Sequence, residues 1–390
     1  MRALIKSGVD RRILARVAIT LTMVFGGFGC GSKNDAAQAP AASAGPPGLT
    51  KIQVGYVGLT CEAALFVAQE RGFFKEEGLD AQFTKYDWAT YRDAISLGKV
   101  DITYHLVMFL LKPIEQGADL KILAGVHKGC LRVQTSTTSD IHTIADLKGK
   151  RIGVPGLGTP PFVFATRVLA NNGIDPARDI TWRVFPASEL GLALQMGEVD
   201  AVGSGEPIGT LLESQGKVRD VFANATTPPY SNEYCCVVVA NGKFVREHSD
   251  WAAGATRAIL KAAKWVQANP VTAAQISVDG KYVAVNLNLD SLALSKLQYI
   301  PSVSGGRNAV MLAATEMKKA GMLDASTDVD TLAARAFQSL DGVSDDILQK
   351  VTVEKVPGGD ALPRLSCLDP SMLTQAEACS CCTVARANTK

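Results

Sequence analysis

The chain has 390 residues, 47% of them hydrophobic and 20% charged, enough for one large domain or two ordinary ones, which excludes a disordered or collagenous protein. Lys and Arg number 40 against 38 Asp and Glu, but residues 1–29 hold five of the basic residues and one acid, so the rest carries 35 against 37, a net of −2. That balance argues against a nucleic-acid surface built on bulk charge, and an aromatic content of 6% points to a ligand site of a few placed groups rather than a stacking cage.

Arg2, Lys6, Arg11, Arg12 and Arg16 precede an uncharged run from Val17 to Phe28, too short to span a bilayer and right for the apolar part of a signal peptide. The run ends at Gly27-Phe28-Gly29-Cys30, which resembles a bacterial lipoprotein cleavage site with Cys30 acylated, although Gly27 stands where Leu is usual. Ordinary signal cleavage nearby is the alternative. The expected organisation is a signal peptide at 1–29 and a lipid-anchored flexible tether at 30–49, rich in Ala, Pro, Ser and Gly, giving an exported, periplasmic, membrane-anchored protein. No second uncharged stretch reaches the length of a membrane span.

From Lys51 short β-branched runs alternate with Ala/Leu-rich amphipathic stretches, the pattern of βαβ units and a mostly parallel sheet. The spacing predicts strands at Lys51–Tyr56, Ala81–Tyr86, Ile102–Tyr104 and Leu120–Val126, with helices at Glu62–Arg71, Tyr91–Leu97 and Leu106–Gln116. A comparable series restarts at Arg151–Val154, with helices at Phe162–Asn171 and Leu190–Met196 and strands at Thr181–Val184 and Val199–Val202. Gly98-Lys99-Val100-Asp101 and Gly197-Glu198-Val199-Asp200 occupy the same place in each half, so two similar α/β lobes are expected. After one more strand, Cys235–Ala240, the pattern is helical at Asp250–Ala268, Pro270–Ser277, Ser291–Tyr299, Asn308–Ala320 and Thr331–Phe337. A loosely ordered tail is expected beyond about Val356.

Three stretches then carry a family resemblance: Ala68-Gln69-Glu70-Arg71-Gly72-Phe73-Phe74-Lys75-Glu76-Glu77-Gly78-Leu79, Asp146-Leu147-Lys148-Gly149-Lys150-Arg151-Ile152-Gly153-Val154, and Ala193-Leu194-Gln195-Met196-Gly197-Glu198-Val199-Asp200-Ala201. They resemble landmarks of ABC-importer solute-binding proteins of the nitrate/sulfonate/taurine and thiamine-precursor (NMT1/THI5-like, SsuA-like) group, over residues 51–345. The resemblance implies a type II periplasmic binding protein fold: two α/β lobes joined by two crossover segments, with a ligand cleft between them. Lobe 1 would be 50–131 plus 235–345 and lobe 2 136–232, with hinges near Leu131–Thr135 and Asn232–Cys235 and a Cys-rich C-terminal tail at 346–390. Leu59-Thr60-Cys61-Glu62-Ala63 is also similar to a cysteine-bearing, SaoB-like (seleno)protein subgroup linked to thiophilic-metal or organomercury handling.

Under this two-lobe layout, four of the nine cysteines, Cys61, Cys130, Cys235 and Cys236, edge the cleft. Three readings compete: disulfides, with three possible pairings; small buried hydrophobes; or thiolates, helped by His127 or His105, that take a soft metal, organometal or metalloid as the transported solute. Cys61 is expected in the first turn of a helix with Thr60 as N-cap. Cys235 and Cys236, as neighbours in a strand, are expected to point to opposite faces, so that only one reaches the cleft. Glu206 and His105 lie at strand ends expected to face the cleft, and Thr159 opens the helix beside it. Glu206 suits a cationic solute; its alternative is a helix-start acid. Pro160 and Pro161 remove two N–H donors that an anion would need there. Cys379, Cys381 and Cys382, with Cys367 upstream, suggest either a thiol arm that passes a soft ion or disulfides stapling the tail.

No Ser/His/Asp order, P-loop, His-Glu-x-x-His or dinucleotide fingerprint appears. The expectation is therefore a monomeric binding protein, not an enzyme, with no certain cofactor, working with an ABC permease and its ATPase. The alternatives are a receptor for an organic nitrogen or sulfur compound (sulfonate, taurine or thiamine-pyrimidine-like) with structural cysteines, and a THI5-like pyrimidine synthase.

Overall fold

The computed structural model describes residues 48–361. Cys30 with the leader and tether, and Cys367, Cys379, Cys381 and Cys382, lie outside the described residues. The chain opens with β1 (Thr50–Tyr56), a 3-10 turn at Thr60–Glu62, α1 (Ala63–Glu70), α2 (Phe73–Glu76), β2 (Leu79–Lys85), α3 (Trp88–Ser96), β3 (Ile102–Leu106), α4 (Val107–Glu115) and β4 (Leu120–His127). It continues with β5 (Leu131–Ser136), β6 (Arg151–Val154), α5 (Pro160–Asn171), β7 (Thr181–Val184), α6 (Leu190–Gln195), β8 (Ala201–Gly205), α7 (Ile208–Ser214) and β9 (Val218–Ala223). Then β10 (Cys236–Asn241) leads into α8 (Gly242–Glu247), α9 (Ser249–Ala268), α10 (Pro270–Asp279), α11 (Leu287–Ser295), α12 (Val303–Lys319), α13 (Val329–Ala336) and α14 (Asp345–Lys350).

Two five-stranded sheets result, ordered β2-β1-β3-β10-β4 and β7-β6-β8-β5-β9. Each is mixed rather than mostly parallel: β10 runs antiparallel to β3 and β4, and β5 antiparallel to β8 and β9. The reversed strand in each sheet is the one by which the chain arrives from the other sheet, and hydrophobic patterning carries no sign of strand direction. Leu131–Thr135, expected as a hinge, lies within β5; the passage between sheets is Lys128–Cys130.

The half-repeat is visible at the turns. Gly98 and Gly197 both have φ +72°, the left-handed conformation that ends a helix cheaply only with glycine. Asp101 then accepts the Gln53 N–H at 2.7 Å as Asp200 accepts that of Arg151 at 2.7 Å, so one aspartate stitches the start of β3 to β1 and the other the start of β8 to β6.

Helix α12 lies against β4 so closely that a Cβ on Gly306 would fall 2.3 Å from the Gly125 nitrogen. Backbone meets backbone there, so Gly306→Ala is expected to cost about 1–3 kcal/mol of stability in urea unfolding. An unchanged midpoint would contradict this packing. The described residues from Val356 to Ala361 are better fixed than the Pro/Gly content suggests. Asn269 accepts the Val356 N–H at 2.6 Å and donates to the Glu354 carbonyl at 2.9 Å, and Val271 N–H donates to the Gly359 carbonyl at 2.8 Å. Among the described residues no helix is long and apolar enough to cross a membrane.

Candidate functional site

The carboxyl ends of β1, β3 and β4, the amino end of β10 and the Lys128–Cys130 passage converge on one spot. Cys61 occupies the 3-10 turn after β1, where its carbonyl accepts the hydroxyls of Tyr104 and Tyr299. Thr60 is not the N-cap expected. Its hydroxyl donates to the buried Asp290, and Glu62 folds back to accept the N–H groups of Val57, Gly58 and Leu59. His127 ends β4 and is paired across the sheet with Cys236. Cys130 sits in the passage with φ +145°, a conformation that costs a non-glycine residue of order 1–3 kcal/mol and persists only where the surroundings impose it. Asn224 imposes it by accepting the N–H groups of both Cys130 and Leu131, at 2.8 and 2.7 Å.

These positions bring all four cysteines together as free, buried thiols. The Cys130 and Cys235 sulfurs are 3.0 Å apart and those of Cys235 and Cys236 are 3.9 Å apart. Ligand atoms of Cys61, His127 and Cys236 lie within 4.8 Å of one another, as do those of Cys130, Cys235 and Cys236. The expectation that Cys235 and Cys236 point to opposite faces is therefore corrected, while of the two only Cys236 lines the cavity described below. Cys235 precedes β10 rather than belonging to it, and the ladder slips in register between Cys236 and Val237, so strand alternation does not govern the pair. The 3.9 Å separation is close to the edge of about 3.8 Å that tetrahedral metal–sulfur bonds of 2.3 Å require.

Among the thiols, hydrogen bonds from Cys130 and Cys236 hold Cys61 well below the ordinary thiol value against the penalty of burial. Burial pushes Cys235 up, yet hydrogen bonds with Cys130 and Cys236 and the nearby His127 ring bring it well below. Cys130 is raised by its hydrogen bond to Cys235, and Cys236 by burial. The cluster thus holds two thiolate-prone sulfurs and two thiols that donate to them. Burial pushes the His127 imidazole down, and Cys61 beside it more than offsets this. Neither His127 ring nitrogen makes a hydrogen bond by geometry, which leaves a nitrogen free to act as a ligand.

Cys61, Cys130 and Cys236 line one end of a cavity of about 90 Å³ whose remaining wall is largely apolar: Leu59, Trp88, Leu131, Pro155, Pro160, Pro161 and Ile208. Thr159, the N-cap of α5, is buried but is not among the residues that line the cavity, and its hydroxyl donates to the Gly156 carbonyl at 2.6 Å. His105 also lines the cavity. It is 4% exposed, packed among Trp88, Tyr91 and Phe109, with both ring nitrogens unpartnered, and burial lowers it to about 4 so that it is neutral. Glu206 reaches the cavity too, but not as a free acid. It pairs with buried Arg132 and accepts the Thr210 N–H at 3.0 Å, the helix-start alternative. Tyr104, Tyr299, Asn224 and Arg132 position the site and escaped the sequence reading, because each acts through a partner distant in the chain.

Asp290 beneath Thr60 is raised to about 7, chiefly by burial. Its folded value lies above its unfolded one, so ionising it opposes folding. The penalty is absent below about pH 4, grows as pH rises towards 7 and is complete above. Asp290→Asn is therefore expected to stabilise the protein at pH 8 by more than at pH 5, on the order of 2–4 kcal/mol; equal effects at both pH values would contradict the assignment.

Comparison with known proteins places the fold and the family. The family model "NMT1/THI5 like" matches residues 60–273, more than half of the chain. The nitrate/nitrite binding protein NrtA of Nostoc sp. is 24% identical over 202 residues, 46% of this chain and 46% of that protein, so the match spans about half the length of that relative. Among solved structures, the periplasmic nitrate-binding protein NrtA from Synechocystis PCC 6803 superposes with a TM-score of 0.62 at 17% identity, covering 78% of this chain and 88% of that one. The ligand binding component of an ABC-type import system from Staphylococcus aureus, solved with zinc bound, gives 0.60 at 16% identity, covering 77% and 99%. The two mixed α/β lobes are those of the type II periplasmic binding protein fold, and the chain belongs to the NMT1/THI5-like family.

Proposed function

We propose that the chain is the extracytoplasmic solute-binding component of an ABC importer, and that its solute is a soft, thiophilic metal ion, organometal or metalloid held by Cys61, Cys130, Cys235, Cys236 and His127. One observation carries the reading: four thiols and an imidazole, none more than 7% exposed, converge where the chain passes between its two sheets. Soft ligands of this kind select soft acceptors. The solute displaces thiol protons as it binds, so affinity rises with pH. Closure of the lobes then seals it, with Arg167 of α5 pairing with Glu316 of α12 and Lys296 pairing with Glu213 of α7. The closed form docks as a monomer on a permease driven by its ATPase, and acylated Cys30 with its tether keeps the receptor at the membrane. Family membership supports the importer role, and the relatives named above are binding proteins rather than enzymes.

The site is poorly made for an anion. Pro160 and Pro161 occupy the first two positions of α5 and line the cavity, so two N–H donors are missing where an anion would dock. A second reading, a receptor for a small organic nitrogen or sulfur compound, draws on His105, a cavity-lining residue whose two ring nitrogens are unpartnered. Native mass spectrometry of the reduced full-length protein distinguishes the two. One equivalent of Cd(II), Hg(II) or an organomercurial retained per chain, with no adduct of nitrate or alkanesulfonate, is expected; retention of an organic or anionic solute and no soft ion would overturn the soft-ion reading.

A further inference from the structure

Cys130 and Cys235 stand at equivalent places: each is the last residue before the reversed strand by which the chain enters a sheet, β5 for Cys130 and β10 for Cys235. Their sulfurs, 3.0 Å apart, need to close by only about 1 Å to reach the bonded separation of about 2.05 Å. Among the described residues no other cysteine pair stands at these two strand entries. Cys235 and Cys236 are chain neighbours, whose Cα atoms are held about 3.8 Å apart, below the range that disulfides usually span. The left-handed backbone at Cys130, held by Asn224, is what turns its side chain to this contact. Cys130 also lines the cavity, which gives a small disulfide a path to it.

We propose that Cys130 and Cys235 form a reversible disulfide that ties the two passages between the lobes together and takes the soft-ion site apart. Cys130 passes its proton to the Cys235 sulfur 3.0 Å away and attacks a low-molecular-weight disulfide from the cavity side, forming a mixed disulfide and releasing one thiolate, which takes that proton from Cys235 and leaves as a thiol. Cys235 then attacks the Cys130 sulfur, expelling the second thiol. In sum two cysteine thiols are oxidised to one disulfide, and the donor disulfide is reduced to two thiols. The cluster of Cys130, Cys235 and Cys236 is lost, and Cys61, His127 and Cys236 remain as a three-ligand remnant. The consequence for binding rests on the function proposed above; the pairing does not.

The test equilibrates the full-length protein in glutathione buffers of graded oxidation, alkylates the remaining thiols under denaturing conditions and sequences tryptic peptides. The expected species joins residues 129–132 to residues 220–243 through Cys130 and Cys235, with Cys236 alkylated, and is absent in Cys130→Ser. The oxidised protein is expected to bind Cd(II) at least about 100-fold more weakly than the reduced protein, recovering on reduction. Cys130 and Cys235 left alkylatable in excess oxidised glutathione, a bond to Cys61 or Cys236 instead, or unchanged Cd(II) affinity after oxidation would overturn the proposal. A reduced protein that never binds Cd(II) yet forms the bond would sink the soft-ion function and leave the pairing standing.

Discussion

Replacing Cys236 by serine is expected to lower Cd(II) affinity by at least about 100-fold, since altering partners outside the ligand set alone costs 10–100-fold. Cys236 belongs to both groups of converging donors, so its loss disables each, whereas Cys61→Ser removes only one group and is expected to cost less. A hydroxyl is a hard, weakly acidic replacement for a soft thiolate, yet nearly the same size, so unfolding midpoints should hardly move. Isothermal titration of reduced protein separates the two effects. A Cys61→Ser variant with unchanged solute affinity would favour the organic-compound reading, in which the thiols are structural.

The largest stability effect is expected at Arg132. Its guanidinium is 5% exposed and pairs with Glu206, Glu213 and Asp220. Glu206, 2% exposed, has no other cationic partner among the described ion pairs, so Arg132→Met strands a carboxylate in the interior. Breaking a buried pair from one side costs about 3–5 kcal/mol. Glu206→Gln is expected to cost less, because Arg132 keeps two acids and the amide oxygen still accepts the Thr210 N–H. Urea unfolding of both variants checks the order; equal losses would mean that Glu206 is not held by Arg132 alone.

Much of the fold was legible because its signals are local. The βα alternation places most elements within a few residues, and the Gly-x-Val-Asp turns mark where each helix hands over to a strand. What the sequence hides is relational. Nothing local to Leu131–Ser136 or Val218–Ala223 tells that they pair antiparallel across a sheet entered from the other lobe. The same holds at the site. The four cysteines are separated by up to 175 positions, from Cys61 to Cys236, and layout alone brings them to the cleft edge, but their mutual distances depend on the Cys130 backbone and on Cys235 standing outside β10. Whether Glu206 is a charge offered to the solute or a helix-start acid stays open in the sequence, because its partner, Arg132, lies 74 residues away.

The central claim is that one soft ion is held by the cleft thiols together. Peptide-mapped alkylation of the reduced protein, with and without one equivalent of Cd(II), tests it most directly. The account predicts that a single equivalent protects Cys61, Cys130, Cys235 and Cys236 in step. Alkylation of these four that is indifferent to the ion, or protection confined to cysteines elsewhere in the chain, would contradict it.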